Sequence, residues 1–547
     1  MDSTLFTSLI DVVKYIVKYS VDGVLLLIVL IASYRLSLHP LRSFPGPFGA
    51  KLTSAYSAWY VWKRDFHLVS LRLHERYGPV VRVTPSRLVF NSPAALQEIY
   101  NHPLIIKGHA YTQLRQDTQN APNLLTTLSR SEHRQKRRLI APVVSDRSMR
   151  VFEPDMAREI DAFLRLLLAN SREGREVNMS HVAERLGVDI VGQLAFGYTL
   201  NTLNDPAHRC IVEGIKERGK RGSIFFFWDH LKVVKGFLNR LRGREDLDGF
   251  YKSLRGMIGA RMGIPRDAKH DFYALTAGSG EEGEVGLEGK DLWAEALLFI
   301  AAGASTTATA VSGAFFYLTR NPHTYTLLTT EIRSTFSSAN QIRQGPLLSS
   351  CKYLRAVMDE TMRLSPSVLA PAWRQQDPAS VAAGERWIVD GHVIPPGTQV
   401  GVSNYALQHD AKIFPEPFAF KPERWLPPPS SSSSSSSGEA DAAFQAQLSK
   451  MRRAFAPFSV GERACAGKPM AWLEMSLVVA KTVWYFDFEK AEGEAGKVGE
   501  GKRGWGDGRE REGEFQLYEG VVVGHDGPNV VFRPRGEEWR ELEEKGK

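Results

Sequence analysis

The chain has 547 residues, of which 43% are hydrophobic and 24% are charged, and it contains 46 glycines and 29 prolines. This composition excludes collagen-like, coiled-coil and wholly disordered proteins. Three cysteines are too few for a disulfide scaffold, and a formal net charge of +8 permits an acidic partner or an anionic membrane surface without implying nucleic acid.

The N-terminal part of the chain is predicted to form a membrane anchor and a hinge. Residues 23–32 read GVLLLIVLIA, and extension of this run back to Val12 gives the roughly twenty residues that a spanning helix needs. A cleaved signal peptide is the alternative, but no basic region opens the chain and no small-residue cleavage site follows the run. We therefore expect an uncleaved anchor over 1–34 that leaves the body in the cytosol. Residues 35–50 are dense in Pro and Gly, which predicts a stiff, non-helical hinge.

The body, residues 51–547, is predicted to be mainly α with small β-sheets. Apolar residues at helical spacing dominate 68–336. Residues 80–90 are instead strand-like on both sides of a Pro-Ser turn, and a second strand pair is predicted at Trp387–Val389 and 400–402. No internal repeat is present in the sequence, and we expect a single domain.

A helix rich in basic residues is predicted from Ser129, where the chain reads SRSEHRQKRRLIAP. We expect Arg134, Lys136 and Arg138 to form a solvated basic face, which would suit an acidic partner protein. Nucleic acid is a poorer candidate because no aromatic residue interleaves with these charges.

An apolar helix with a patch of small residues is predicted at 297–310, which reads LLFIAAGASTTATA. Small residues at Ala302 and Gly303 allow a neighbour to lie close to the backbone, and a hydroxyl inside a helix can loosen its hydrogen bonds. The residues alone leave two interpretations open. One is a tight crossing of two helices, and the other is a flat molecule that lies against Gly303.

Two segments, near 427–450 and at 491–514, are expected to be flexible surface insertions. The first contains PPPSSSSSSSSG and the second is rich in Gly, Glu, Lys and Arg, so neither is expected to bury a core. The second also contains the pattern G-x-G-x-x-G, which begins at Gly499. A dinucleotide site requires a strand before this pattern and a helix after it, so we expect no nicotinamide or flavin site here.

The most specific stretch is FSVGERACAG at 458–467. Cys465 lies in a turn flanked by glycines, directly before an apolar helical run. Backbone N–H groups at the start of that helix, together with Arg463, are expected to favour the thiolate over the thiol. A buried structural cysteine is the ordinary alternative, which we accept for the other two cysteines. For Cys465 the flanking pattern makes a ligand or a nucleophile the better interpretation.

The stretch at 458–467 resembles the haem-ligand signature of the cytochrome P450 family, F-x-x-G-x-R-x-C-x-G, at every fixed position. The resemblance implies a cytochrome P450-type helical fold with an N-terminal membrane helix and with haem b (iron protoporphyrin IX) as cofactor. It implies that the Cys465 thiolate is the axial ligand of the haem iron, where an electron-rich sulfur favours cleavage of a bound O–O bond. The other residues expected at the cofactor are Phe458, Arg463, Arg137, Arg374, His133 and Gly303.

Cations are expected beside the haem because it brings two carboxylates into a mostly apolar pocket. By the resemblance, Arg463, Arg137 and Arg374 would meet these propionates. His133 stands where the family commonly has Trp, and it could still donate a hydrogen bond.

Two further patterns follow the family's order along the chain. The helix at 297–310 resembles the family's distal helix, A-G-x-(D/E)-T-T, in which the first Thr and its acidic neighbour organise water and protons for oxygen activation. Thr306 fits this role, whereas Ser305 occupies the acid position and can relay a proton without carrying a charge near neutral pH. The family's buried structural network behind the haem corresponds to Glu360, Arg363 and Arg424.

The function implied by the resemblance is that of a haem-thiolate monooxygenase of the endoplasmic reticulum membrane, as in microsomal enzymes of filamentous fungi. It would insert one oxygen atom from O2 into a hydrophobic small organic molecule of secondary metabolism, with electrons from a separate NADPH-dependent flavoprotein reductase. By analogy, residues 104–125, 367–372 and 519–523 would shape the substrate pocket. Two alternatives stay open: a haem-thiolate isomerase or dehydratase that needs no reductase, for which Ser305 leaves room, and a non-catalytic haem-binding membrane protein.

Overall fold

The computed structural model describes residues 3–115, 121–228, 231, 245–278, 286–428 and 437–544. Within these ranges the protein is mainly helical, as predicted. The α-helices are, in chain order, α1 (Ser3–Ser37), α2 (Phe48–Leu52), α3 (Ala55–Trp62), α4 (Phe66–Tyr77), α5 (Pro93–Tyr100), α6 (Arg130–Ile140), α7 (Asp146–Arg172), α8 (Met179–Phe196), α9 (Cys210–Phe227), α10 (Glu245–Met262), α11 (Phe272–Thr276), α12 (Gly289–Leu318), α13 (Pro322–Thr335), α14 (Pro346–Ser350), α15 (Lys352–Leu364), α16 (Pro378–Ala382), α17 (Asn404–Gln408), α18 (Ser437–Ala454), α19 (Lys468–Tyr485) and α20 (Arg540–Glu544). Short 3₁₀ helices lie at His109–Leu114, Pro206–His208, Arg266–Ala268, Ala339–Gln341, Pro422–Trp425 and Ala495–Lys497.

The N-terminal helix α1 is apolar and exposed. The most apolar 18-residue window within Asp11–Ser37 has a mean hydropathy of 2.0 and is 0% buried, which is compatible with membrane anchoring. The helix continues to Ser37, so that the non-helical connector covers only 38–47 and is shorter than the expected hinge. The connector is fixed to the body because Arg82 Nη1 donates to the carbonyl of Leu41 at 3.2 Å.

The strands form small sheets, as expected. They are β1 (Val80–Thr84), β2 (Arg87–Phe90), β3 (Ile105–Lys107), β4 (Val177–Asn178), β5 (Arg374–Gln376), β6 (Trp387–Val389), β7 (His392–Ile394), β8 (Gln399–Val402), β9 (Phe486–Lys490) and β10 (Asn529–Pro534). The described strands make a five-stranded sheet in the order β1-β2-β8-β5-β3, a three-stranded sheet β4-β10-β9 and the β6–β7 hairpin. The predicted turn within 80–90 joins β1 and β2 as an antiparallel pair, with Val81 opposite Val89.

The second predicted strand pair has different partners in the structure. β6 pairs with β7, whereas residues 400–402 belong to β8 in the five-stranded sheet, where β8 runs parallel to β2. Asp390 and Gly391 close the β6–β7 hairpin with positive φ angles of 47° and 77°, as a two-residue Asp-Gly turn requires. This Asp-Gly pair is the sequence signal for the hairpin.

Helix α12 runs through the centre of the core. Its residues 307–318 are all buried, and it packs against α8, α15 and α19. Helix α19 follows directly from the loop that carries Cys465. The core therefore places the two segments with the strongest sequence signals, 297–310 and 458–467, on or beside neighbouring helices.

Segment 491–514 is packed against the body, which corrects the expectation of a flexible, solvated insertion. Arg320 Nε donates to Glu500 Oε1 at 2.9 Å, and the two side chains are each 10% exposed. Arg509 Nη2 donates to Asp65 Oδ1 at 2.6 Å. The segment's charges are thus satisfied by partners that lie far away in sequence, and composition alone gives no information about such partners.

The other expected insertion, near 427–450, is also partly ordered. Helix α18 begins at Ser437 and ends at Ala454, so the second half of this segment is helical. Residues 429–436, which include all of the serine run except Ser437, lie outside the described residues. The expectation of a flexible insertion is therefore untested for the serine run and corrected for 437–450.

Candidate active site

Cys465 lies in a tight loop between α18 and α19. Its backbone N–H donates to the carbonyl of Phe458 at 2.9 Å, and the N–H of Ala464 donates to the carbonyl of Gly461 at 3.0 Å. Gly461 has a φ of +79°, and a Cβ atom at this position would collide with the carbonyl of Tyr100. The loop therefore needs glycine here, and it presents the sulfur at the start of α19. The ring of Phe458 packs beside the core, and its expected contact with the cofactor stays a prediction.

The Cys465 thiol is solvent-accessible, and yet burial raises its pKa. The N–H groups of Gly467 and Lys468, at the start of α19, donate to the sulfur, and they and the Arg137 guanidinium oppose the rise in pKa. The predicted helix-start donors are thus present.

The cations that oppose the rise in the pKa of the Cys465 thiol are Arg137 and Lys468 and not Arg463, which corrects the expectation that Arg463 favours the thiolate. Arg137 Nη1 donates to the carbonyl of Ala464, beside Cys465, at 2.7 Å. The Arg463 guanidinium is directed away, towards the carbonyls of Thr127 at 3.1 Å and Ser129 at 3.2 Å.

Arg463, Arg374 and Lys107 form a group of half-buried or buried cations. Arg374 donates to the carbonyl of Trp373 at 3.1 Å, and Lys107 Nζ donates to the carbonyl of Leu124 at 3.1 Å. Burial and the neighbouring Arg374 lower the pKa of Arg463 to about 10, and the same two influences lower the pKa of Lys107 well below its usual range. Among the residues that the structure describes, none of these three cations forms an ion pair with a carboxylate within 4 Å.

Such a group of cations fits the two carboxylates of a haem. Cations that are removed from water and repel one another are stabilised by a bound anion. The accessible Cys465 sulfur and this cationic group together suit a porphyrin with an iron ligand at its centre and propionates at its edge. Lys107 is an addition to the residues expected from the sequence, in which its only signal is a lone charge at the end of the buried apolar strand β3.

Helix α6 has the predicted bounds, but its exposed face differs from the prediction. Lys136 is buried, and its Nζ lies 3.0 Å from Asp291 and 3.2 Å from Glu295, so it does not belong to a solvated basic face. Arg134 is exposed as expected, although it pairs with Glu462 at 2.7 Å. Lys136 points inward because α6 packs near the N-terminal turns of α12, where both acids lie.

His133 on α6 is buried, and its Nδ1 has no hydrogen-bond partner among the described residues. Burial and the nearby Arg463 lower the pKa of His133 to about 3, so the imidazole is neutral. A neutral imidazole beside the cationic group keeps one N–H available for a bound group.

The turn of α12 at residues 302–306 is less buried than the part of the helix that follows it. Ala302 is exposed, and Ser305 and Thr306 are half-buried, in a helix whose next twelve residues are buried. Thr306 Oγ1 donates to the carbonyl of Ala302 at 2.8 Å. Ser367 Oγ donates to the carbonyl of Thr306 at 2.8 Å, which brings the segment 367–372 next to the predicted proton-handling residue.

Gly303 lies at a close helix crossing, and its expected place against the cofactor stays a prediction. A Cβ atom on Gly303 would lie 2.6 Å from Cγ2 of Val191 on α8. On the same crossing, a Cβ atom on Gly187 would lie 2.6 Å from the carbonyl oxygen of Ala304. Of the two interpretations that the sequence leaves open, the close packing of two helices is therefore the one found at Gly303.

Glu360, Arg363 and Arg424 are joined as the resemblance implies. Arg363 Nε donates to Glu360 Oε2 at 2.9 Å, and Arg424 Nε donates to Glu360 Oε1 at 3.0 Å. Burial alone would raise the pKa of Glu360, but the two guanidinium groups outweigh it and lower the pKa. Trp425 Nε1 adds a third donor to this carboxylate at 3.0 Å. The structural role of the network stays a prediction.

Glu474 is a buried acid that the sequence interpretation missed. It lies on α19 and faces the hydroxyl of Thr307, the neighbour of Thr306 on α12. Burial raises the pKa of Glu474 to about 8, and the hydrogen bond from Thr307 opposes the rise. Its sequence signal is a single acid within the otherwise apolar run MAWLEMSLVVA.

Comparison with known proteins gives one consistent result. The profile of the family described as Cytochrome P450 matches residues 47–502. The cytochrome P450 monooxygenase atnE of Emericella nidulans is 33% identical over 92% of this chain and 93% of its own length. The cytochrome P450 monooxygenase AKT7 of Alternaria alternata is 30% identical over 91% and 94%, and the trichothecene C-15 hydroxylase of Fusarium sporotrichioides is 30% identical over 85% and 91%.

Proposed function

The chain belongs to the cytochrome P450 family, and from this membership we propose that it is a haem-thiolate monooxygenase that inserts one oxygen atom from O2 into a hydrophobic small organic molecule. One observation carries the proposal. The accessible Cys465 sulfur receives N–H donors from the start of α19 and lies near a group of cations that have no carboxylate partner in the part of the chain that the structure describes. Fungal secondary metabolism is the proposed setting, because one relative is a trichothecene hydroxylase.

The proposed cofactor site uses residues from four parts of the fold. Cys465 would bind the iron, while Arg463, Arg374 and Lys107 would hold the propionates. When bound, the haem supplies the iron at which O2 is activated. Arg137, next to the sulfur, would stabilise the thiolate, and burial of the site would keep water away from it.

We propose that hydroxyl groups handle the protons. Thr306 holds its hydroxyl hydrogen on the carbonyl of Ala302, and its oxygen keeps lone pairs for a water molecule. Ser305, on the same turn, replaces the family's acid with a second hydroxyl. Ser367 fixes the carbonyl of Thr306, so that the position of this turn depends on the neighbouring segment 367–372.

Electrons are proposed to come from a separate NADPH-dependent flavoprotein reductase. The family membership supports a redox partner, and exposed Arg134 and Arg138 on α6 would suit an acidic protein surface. The exposed apolar helix α1 supports membrane anchoring, and we propose the endoplasmic reticulum membrane with the body in the cytosol.

A haem-thiolate isomerase or dehydratase is the second candidate, and Ser305 at the acid position favours it. The two candidates differ in their need for electrons. Product formation that depends on NADPH and reductase supports the monooxygenase, whereas full turnover without either supports the isomerase or dehydratase.

The decisive experiment is the difference spectrum of the reduced, carbon monoxide-treated protein. We expect a thiolate-type band in the parent and in Cys210→Ala and Cys351→Ala, and its loss in Cys465→Ala with the chain still folded. A screen of apolar metabolites with reductase then identifies the substrate. An unchanged band in Cys465→Ala would contradict the ligand assignment.

A further inference from the structure

A cavity of about 250 Å³ lies between α3, α9 and the loop at 518–524. Its apolar side chains come from α3 and α9, and Trp62, which is 56% exposed, stands at its outer edge. Its basic side chains are Arg64, Lys220 and Arg221. The cavity therefore combines an apolar wall with an excess of cations, and none of the roles proposed above uses it.

Arg64 has an unusual conformation and an unusual set of partners. Its φ is +63°, in the left-handed region that non-glycine residues rarely adopt. Its guanidinium donates only to carbonyls, from Nε to Glu519 at 3.2 Å and from Nη2 to Tyr518 at 3.1 Å. Among the described residues, no carboxylate pairs with Arg64 within 4 Å, and no acceptor bonds to its Nη1.

The acids at the wall leave this charge uncompensated. Glu217 pairs with Arg221 at 2.7 Å and more loosely with Lys220 at 4.0 Å, so this one acid faces two cations. The Glu519 carboxyl is buried, and neither of its oxygens has a hydrogen-bond partner among the described residues. Burial raises the pKa of Glu519 to about 8, so this group is uncharged at neutral pH, and the buried His67 beside it at 3.5 Å is uncharged as well. Arg64 and Lys220 thus give the cavity a net positive potential.

The loop at 518–524 links this cavity to the expected substrate pocket. Arg64 holds the loop through the two carbonyls, and the loop's Val521 N–H donates to Ser223 Oγ on α9 at 2.9 Å. Residues 519–523 of the same loop are expected to line the pocket. A molecule seated in the cavity therefore touches an element that also borders the proposed reaction site.

We propose that this cavity binds the carboxylate of an amphiphilic organic substrate, with Arg64 as the anion-binding residue and α3 and α9 as the apolar wall. That the bound molecule is a substrate rests on the proposed monooxygenase function. The inference narrows the class of substrate to apolar acids. A carboxylate is the favoured anion because a planar guanidinium donates to it with good geometry, whereas a phosphate usually engages several cations.

The test measures equilibrium binding of octanoate and octan-1-ol to the purified full-length holoenzyme by calorimetry. We expect the parent to prefer octanoate, and Arg64→Gln to weaken octanoate binding about tenfold, as the loss of a charge-assisted hydrogen bond implies. Binding of octan-1-ol should stay within about twofold. Lys63→Gln is the matched control, because it removes the same charge one residue away, at a side chain outside the cavity wall.

Three outcomes would overturn the assignment. The first is equal binding of octanoate and octan-1-ol by the parent, the second is an equal effect of Arg64→Gln and Lys63→Gln, and the third is tighter binding of octyl phosphate than of octanoate. Because Arg64 also holds the 518–524 loop, Arg64→Lys serves as a charge-preserving variant and should keep the preference for octanoate. The carbon monoxide spectrum of the same samples reports the proposed function separately, since binding requires no turnover.

Discussion

Opposing influences on single residues decide what each residue can do at the site. Burial favours the neutral thiol of Cys465, while the donors at the start of α19 and the Arg137 guanidinium favour the thiolate. In the proposed ligation only the thiolate would bind iron, so loading of the cofactor would release the thiol proton. The affinity for the cofactor is therefore expected to rise with pH.

The raised pKa of Glu474 predicts a pH dependence of protein stability, which is a second test on a single residue. Its pKa of about 8 lies above the ordinary value of 4.5, so between these values the folded protein binds a proton that the unfolded chain has lost. The associated stability is fully present below pH 4.5 and is lost as the pH rises through 8. Relative to the parent, Glu474→Gln should therefore gain unfolding free energy with rising pH, by up to about 1.4 kcal/mol per pH unit.

Urea unfolding between pH 5 and pH 8.5 measures this difference. Glu492→Gln, at an exposed position, is the control and should follow the parent at every pH. A Glu474→Gln variant whose stability runs parallel to that of the parent would show that the carboxyl is not held neutral.

Which residues matter was easier to predict than which atoms they touch. A ten-residue pattern with fixed positions identifies Cys465, because the loop geometry is local in sequence. The direction of a long side chain such as Arg463 or Lys136 depends on neighbours more than 100 residues away. The sequence alone therefore does not show the partners of Arg463 or Lys136.

At the scale of helices, packing decides the meaning of the small-residue patch on α12. Gly303 meets Val191 on α8 so closely that no side chain fits between them. The backbone of α12 is thereby fixed on one side by α8, while the turn at 302–306 stays open on the other. Period and composition predict the helix, but they do not predict which side of it each small residue faces.

Gly303→Ala should destabilise the protein by about 1–3 kcal/mol, because the new Cβ would lie 2.6 Å from Val191 Cγ2. Chemical unfolding measures the change. Val191→Ala in the same chain should restore part of the loss, since it removes the colliding methyl groups. Gly256→Ala on α10 is the control, because a Cβ there meets nothing within 4 Å and a helical alanine is favoured over glycine. Equal stability of Gly303→Ala and the parent would contradict the close crossing.

The strands show that local sequence predicts an element more easily than it predicts the partner of that element. The β1–β2 pair was predictable, because its turn and its partners lie within one short stretch. The β2–β8 pair joins residues about 310 positions apart, and no local pattern specifies such a partner. Non-local pairing therefore needs the structure, even where both strands are recognised in the sequence.

At the scale of the whole molecule, segment 491–514 connects distant parts of the body. Arg509 reaches Asp65 before α4, and Glu500 reaches Arg320 after α12. The acids and arginines that make the segment look solvated are the groups that fasten it. Charge-rich composition predicts disorder only when the charges have no partners in the fold.

Glu500→Gln should reduce the unfolding free energy by about 2 kcal/mol, because it leaves the largely buried Arg320 without its carboxylate. Glu512→Gln in the same segment, at an exposed position, should change it by less than about 0.5 kcal/mol. Thermal unfolding of the two variants gives the comparison. If both variants unfold like the parent, the segment does not contribute to stability as its contacts imply.

The contacts that hold segment 491–514 against the body also affect how relatives of this enzyme can diverge in sequence. The segment leads directly into the 518–524 loop, and the family profile ends at residue 502. Substitutions here would move the loop while the iron-binding signature stays unchanged. Selection for a new substrate could therefore act on residues 503–524, which the family profile does not cover, without endangering assembly of the holoenzyme.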